Sequence, residues 1–498
     1  MPSIFTHKFD TATYKGPVAV NTGLFINNKF VDGSDKTTID LINPYTGQII
    51  TKISEGTAKD VDIAVEAAEK AYNTAWGLKA PGAARSKCLN KLAALMEEAA
   101  EEIAALETLC NGGSYLVNKG WSVPFAADII KYYAGWADKI HGQVVETDER
   151  KLNYTRHEPI GVVVRWQSTV IMFAMKIGPA LAAGNTIVLK PSEMTPLSAL
   201  RVCMMVEEAG FPPGVLNVVT GYGTTVGAAI SSHMKIDKVA FTGSTAVGRK
   251  IMEAAARSNL KNVTLELGGK SPNIIFNDAD LDQAVKWAAH GIFFNQGQVC
   301  FAGSRIYVQS GIYDEFLAKF TERTKMNKLG DPFSADVYQG PQISPIQADR
   351  IMDYVNSGKE QGAKVHLGGE RQEGNFVTPT IFTETKPNMK IVQEEIFGPV
   401  SVVIKFEDRD ATDVVRQAND TIYGLAAAVF TQNLTQAIEV GHALKAGTIW
   451  VNCYNELSPG MPFGGYKQSG LGRELGSYAL EHYVNVKAMH VNLAIKTE

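Results

Sequence analysis

The sequence predicts an α/β protein built from a doubly wound parallel-sheet domain, a second α/β domain and a small β arm. Three observations carry this reading. Between residues 186 and 266, short β-branched runs alternate with helical stretches, and repeated strand–helix–strand units imply a parallel sheet. The same alternation resumes after Glu266, with strands at 273–276 and 304–308 around a helix at 281–294. A polar hairpin-like stretch at 140–156 and an extended terminal run at 484–495 then stand apart as strand edges. Such edges seek pairing partners, which favours an oligomer.

Each element has a local cause. Thr57 caps a helix, with Asp60 three residues on acting as the capping-box acid. Val61, Ala64, Val65, Ala68 and Tyr72 then follow at helical spacing. An Ala-, Leu- and Glu-rich stretch at 84–108 reads as one long helix. The run at 186–189 reads as a buried strand. Thr195 caps the next helix with Pro196 at its first position, and Gly210 ends it. Strands at 215–219 and 238–241 follow, the second running into GSTAVG at 243–248 and another helix. Ligands of such sheets sit at the carboxyl ends of the strands.

Composition sets outer limits. The 498 residues suffice for two or three domains. A net charge of −4, evenly interspersed, gives no footprint for nucleic acid or an anionic membrane. Five scattered cysteines (Cys88, Cys110, Cys203, Cys300 and Cys453) fit neither a disulfide framework nor a metal site. No stretch is apolar enough to span a bilayer, and MPSIFTHKFD has no signal-segment character. The expectation is a cytoplasmic protein without a metal.

Four motifs carry possible chemistry. Gly221–Gly227 has GxGxxxG spacing and reads better as a tight turn than as a dinucleotide fingerprint. Gly243, Ser244 and Gly248 open a helix after a strand, where backbone N–H groups and the helix dipole favour a phosphate; a plain Ser-capped turn explains them equally well. Cys300 follows FNQGQV at the end of a helix. Polar amides there can keep a reactive thiolate, yet spacing alone favours a buried, inert thiol. Glu266 sits within the apolar run VTLELGG. Burial would raise its pKa and suit a general base, unless the segment is an edge that points it to water.

Together these residues resemble the aldehyde dehydrogenase superfamily. LELGGKSPNIIF, FFNQGQVCFAGSR, FTGSTAVG, GPALAAGNTIVLKPSE, EEIFGPV, GTIWVN and PFGGYKQSG all stand in the family order over nearly the whole chain. The resemblance implies NAD-dependent oxidation of a small-molecule aldehyde. Cys300 would attack the carbonyl, hydride would pass to the nicotinamide ring, and Glu266 would activate the water that hydrolyses the thioester. Lys190 and Glu193 would hold the adenosine ribose, the acid disfavouring a 2′-phosphate and hence NADP. Ser244 would meet the pyrophosphate, while Glu395 and Phe397 would position the nicotinamide-side ribose and ring. Family architecture further implies a cofactor domain (1–137 and 157–267), a catalytic domain (268–483) and an oligomerisation arm (138–156 and 484–498) building a homodimer or homotetramer.

Two departures stand out. Where the family has a segment like GQIIPWNFPLLM, this chain reads GVVVRWQSTVIM at 161–172, shortened by a few residues. Trp166 falls on the family tryptophan and Gln167 on the asparagine whose amide helps form the oxyanion hole. Arg165 and Ser168 replace a proline and an aromatic residue. Loss of one oxyanion donor typically costs ~10²–10³ in rate, so a cofactor-independent, thiol esterase-like or weakly active member is the alternative. A non-enzymatic member serving as a binding or structural protein is a third reading, opposed by the intact Cys300 and Glu266. CNGG at 110–113 replaces the common DNGK, and reads as a structural helix end.

Overall fold

The computed structural model describes residues 2–167, 169–407, 411–494 and 496, with only the backbone of 165–167. The side chains of Trp166 and Gln167, and Ser168 altogether, therefore lie outside the described residues.

Five parallel strands form the heart of the first sheet: Val162–Gln167, Thr186–Pro191, Leu216–Val218, Lys238–Thr242 and Asn262–Glu266. The chain starts at the central Val162–Gln167, winds outward through the next two strands, then returns to lay Lys238–Thr242 on its other side. The strand order thus reverses beside Val162–Gln167, and in doubly wound sheets the carboxyl ends at such a reversal form the ligand crevice. Antiparallel strands complete both edges: Leu24–Ile26 with Lys29–Val31 on one side, and Gly470–Leu471 on the other.

Both faces are covered. Ile187 and Leu189 join the core built with helices Gly82–Glu98, Val123–Ala134 and Val170–Ala182. Val188, between them, joins the opposite core with Val61, Ala64, Val65 and Ala68 of helix Ala58–Thr74. This period-two division explains why the strand sequence is continuously apolar. The Thr57–Asp60 capping box is present, with the Thr57 amide donating to the Asp60 carboxylate at 2.8 Å.

The stretch 84–108 is two helices rather than one. Ala99 leaves helical geometry (φ −99°, ψ 17°), and Ala100–Asn111 starts afresh behind Glu101 and Glu102. The redirection places the whole run from Ile103 to Cys110 inside the core. Regular helix after Pro196 likewise covers only Leu197–Cys203, followed by turns to Gly210.

The second sheet has seven strands, six of them parallel, with Pro272–Ile275 next to both Arg305–Gln309 and Ala426–Phe430. Outside both sheets, Lys151–Pro159 pairs antiparallel with Val484–Asn492 over nine residues. The two edges read in the sequence thus satisfy one another within the chain. Among the described residues, no helix is long and apolar enough to cross a membrane.

Candidate active site

The crevice at the strand reversal gathers the first group of residues. Trp166 pairs in register with Lys190. Lys190 is buried, and its Nζ donates to the Pro191 carbonyl at 3.0 Å and to Glu193 Oε2 at 3.2 Å. Burial lowers the Lys190 pKa, while Glu193 works against the fall. Two strands away, Ser244 caps helix Thr245–Arg257 by accepting from the Val247 amide at 3.4 Å. Gly243 and Ser244 are exposed, so this helix start faces solvent. Gly248 is buried, and a Cβ there would lie 2.8 Å from Leu267, so the helix packs closely on the sheet.

Cys300 is positioned by strained backbone. Helix Leu281–Phe293 ends, and Asn295 (φ 48°), Gln296 (φ 57°) and Gly297 (φ 69°) follow in the left-handed region. Two consecutive non-glycine residues there are costly and persist only when held. Side-chain amides hold them: Gln296 Nε2 donates to the Gly112 carbonyl at 2.7 Å, and Asn295 Nδ2 to the Gln298 carbonyl at 3.2 Å. Cys300 emerges half-buried.

Its thiol is pushed well above the ordinary range, first by burial and then by the charge of Glu266; the Phe301 amide opposes this. Of the two readings the sequence left for Cys300, a thiolate kept by polar amides and a buried thiol, the surroundings favour the protonated thiol, here beside an acceptor. Glu266 ends strand Asn262–Glu266, is buried, and leaves Oε1 without a hydrogen-bond partner. Burial raises its pKa; Lys176 and then the facing Cys300 thiol pull it back. Glu395 is near both, its Oε1 accepting from the Gly269 amide at 3.0 Å. Burial takes the Glu395 carboxyl up to about 7. A Cβ on Gly268 would lie 2.4 Å from Glu395 Oε2, so the absent side chain makes room for that carboxylate. Phe397 is held left-handed (φ 58°) by Gln347 Nε2, which donates to its carbonyl at 2.8 Å.

Sequence reasoning missed the Lys176–Glu474 ion pair, buried on both sides. A signal was available, since Lys176 is the one charge in the helix VIMFAMKIGPALA. Its partner lies 298 positions away and left no pattern. Cys300, Glu266 and Glu395 thus lie together, with Lys190, Glu193 and Ser244 at the carboxyl ends of the first sheet's strands. Among the described residues there is no cluster of three metal-ligating side chains.

Comparison with known proteins places this geometry. The model of the aldehyde dehydrogenase family matches residues 30–489. An aldehyde dehydrogenase of Agaricus bisporus is 64% identical, covering 99% of each chain. One from Alternaria alternata is 56% identical over 95% of each. The NAD+ complex of a Bacillus cereus aldehyde dehydrogenase superposes with a TM-score of 0.93 at 46% identity, covering 95% of this chain and 97% of that one. Betaine aldehyde dehydrogenase from Staphylococcus aureus, also solved with NAD+, gives 0.94 at 39%, covering 96% of each. Matched by the family model over residues 30–489 and by relatives of high identity across almost its full length, the chain belongs to the aldehyde dehydrogenase family.

Proposed function

We propose that the protein oxidises a small-molecule aldehyde to its carboxylic acid with NAD, using Cys300 as nucleophile and Glu266 as general base. The observation that carries this reading is the pair itself: a buried thiol with a raised pKa facing a buried carboxylate with an unpartnered oxygen. Glu266 accepts the thiol proton, and the thiolate attacks the carbonyl carbon to form a hemithioacetal. The backbone amide of Cys300 and the Gln167 amide are assigned to the developing oxyanion. Bound NAD supplies the hydride acceptor that turns the adduct into a thioester. Glu266, once relieved of its proton, takes one from water, which hydrolyses the thioester and frees Cys300.

The crevice suits a dinucleotide. The exposed Ser244-capped helix start offers amides to a pyrophosphate. Lys190 and Glu193 sit where a ribose would meet both a donor and an acceptor, and the carboxylate disfavours NADP. Glu395 and Phe397 are assigned to the nicotinamide end. The arm residues Val486 (66% exposed) and Leu152 (44% exposed) leave apolar surface that supports a homodimer or homotetramer.

The test is NADH formation from NAD and a panel of aliphatic and aromatic aldehydes. Cys300→Ala is expected to abolish it while NAD binding persists; retained turnover refutes the assignment. Ester hydrolysis that depends on Cys300 without any NADH formation would favour the esterase alternative raised by the 161–169 segment.

A further inference from the structure

The helix end at 107–113, which the sequence presents as structural, touches both sides of the centre. Helix Ala100–Asn111 closes on Gly112 in the left-handed region (φ 72°). The Gly112 carbonyl accepts from Gln296 Nε2 at 2.7 Å, inside the strained turn that precedes Cys300. The contact is crowded: a Cβ on Gly340 would lie 1.9 Å from that carbonyl and 2.8 Å from Gln296 Nε2. Asn111 locks the same turn, its Oδ1 accepting from the Gly113 amide at 2.7 Å.

One helical turn earlier, Glu107 is fully buried. Its Oε1 accepts from Asn111 Nδ2 at 3.3 Å, while Oε2 lacks a partner of good geometry. The Val170 amide and the Ser198 hydroxyl face this carboxyl closely enough to stabilise its charge. Val170 is the first residue of helix Val170–Ala182, directly after the segment that carries Gln167. That helix also presents Lys176 toward Glu266.

We propose that this helix end is the positioning device of the centre: Gly112 and Gln296 set the Cys300 loop, Glu107 sets the start of helix Val170–Ala182, and the short rigid stretch between them fixes the spacing of nucleophile and oxyanion side. The inference rests on the functional reading above. Glu107 and Gln296 act through other residues and touch neither substrate nor cofactor. Displacement by ~1 Å at such a centre can cost 10²-fold in rate.

The experiment uses two near-isosteric variants of the full chain, Gln296→Met and Glu107→Gln, and their combination. Each is read by kcat, aldehyde KM, NAD affinity, the rate of Cys300 alkylation by iodoacetamide, and thermal midpoint. The expected result for Gln296→Met is a loss of ~10–100-fold in kcat, with NAD affinity unchanged and alkylation altered. Glu107→Gln is expected to lose at least about threefold in kcat, and the combined loss to fall short of the product of the single losses, because both act on one spacing. Unchanged kcat with a lowered midpoint would overturn the proposal, as would strictly multiplicative losses or an equal loss of NAD affinity. If the wild-type protein makes no NADH from any aldehyde, the functional reading fails by itself. The alkylation rate then still decides, since an unaltered rate in Gln296→Met overturns the positioning role.

Discussion

Replacing Lys176 with methionine probes the site and the fold at once. Lys176 and Glu474 are 1% and 6% exposed as side chains, and Glu474 Oε2 has no hydrogen-bond partner. The pair therefore keeps one carboxylate neutralised by one ammonium in a nearly dry environment. Removing the cation leaves Glu474 buried and uncompensated, a loss of about 3–5 kcal/mol. It also removes the largest influence that lowers the Glu266 pKa, while the Glu474 charge that raises it stays. The sign follows directly. As the proposed general base Glu266 must be ionised to take a proton, so on that reading the ascending limb of the pH–rate profile moves to higher pH. Each unit of that movement costs tenfold in rate on the acid side, ~1.4 kcal/mol. The assay is kcat across pH 5.5–9.5 beside the thermal midpoint. Activity near neutrality is expected to fall and to recover in alkali. A second substitution, Glu474→Leu, is expected to restore most of the stability, since a buried pair exchanged for apolar groups is often neutral. An unmoved acid limb, or a double variant no more stable than the single one, would refute the reasoning.

Other perturbations test separate parts of the centre. Gly268→Ala would put a Cβ 2.4 Å from Glu395 Oε2. It is expected to displace that carboxylate and the charge-assisted bond from the Gly269 amide, worth ~1.5–3 kcal/mol; the measurement is a raised KM for NAD, with Cys300 alkylation no slower, since the Glu395 charge helps to raise the thiol pKa. Glu193→Gln removes the charge proposed to oppose a 2′-phosphate, so the ratio of NADP to NAD efficiency is expected to rise on the order of tenfold. Glu107→Gln has an unusual stability signature. Burial raises the Glu107 carboxyl from 4.5 to about 7. The protonated native form is thus favoured, a stabilisation complete below the unfolded pKa and lost as pH rises through about 7. Between pH 4.5 and 8 the wild-type protein is expected to lose about 3 kcal/mol more than the variant, read by urea denaturation. A variant that is no less stable at pH 8, yet slower, separates positioning from simple loss of structure.

The framework was legible because its causes are local. TIVLKP at 186–191 is apolar on both faces and lies between two helix layers. Thr57 and Asp60 announced their helix, and Ser244 announced another. The break at Ala99 was not legible, because Ala is the best helix former and nothing adjacent to it opposes a helix. Tertiary burial of Ile103 through Cys110 overrode that preference. At the site, Cys300 and Glu266 were legible as motifs, but their electrostatic state was not. The local sequence left a thiolate and a buried thiol both open; burial, and then the charge of a carboxylate from a strand 34 positions earlier, hold the thiol protonated.

The buried and strained polar residues of the centre share a physical character. Gln296 reaches a carbonyl 184 positions away from a left-handed backbone. Glu107, Glu266 and Glu395 are carboxylates with raised pKa values, and Lys270 is a buried cation lowered to about 7 with an unpartnered Nζ. Every one of these is locally unfavourable, and a chain selected for stability alone would replace it with an apolar residue or a glycine. Such costs concentrate where position or charge matters to chemistry. The three acids and the strained turn all converge on the Cys300 loop or on the helix start opposite it. CNGG at 110–113 joins them through one contact: its Gly112 carbonyl accepts from Gln296 inside the left-handed turn that precedes Cys300, which is why the positioning role proposed above is placed there.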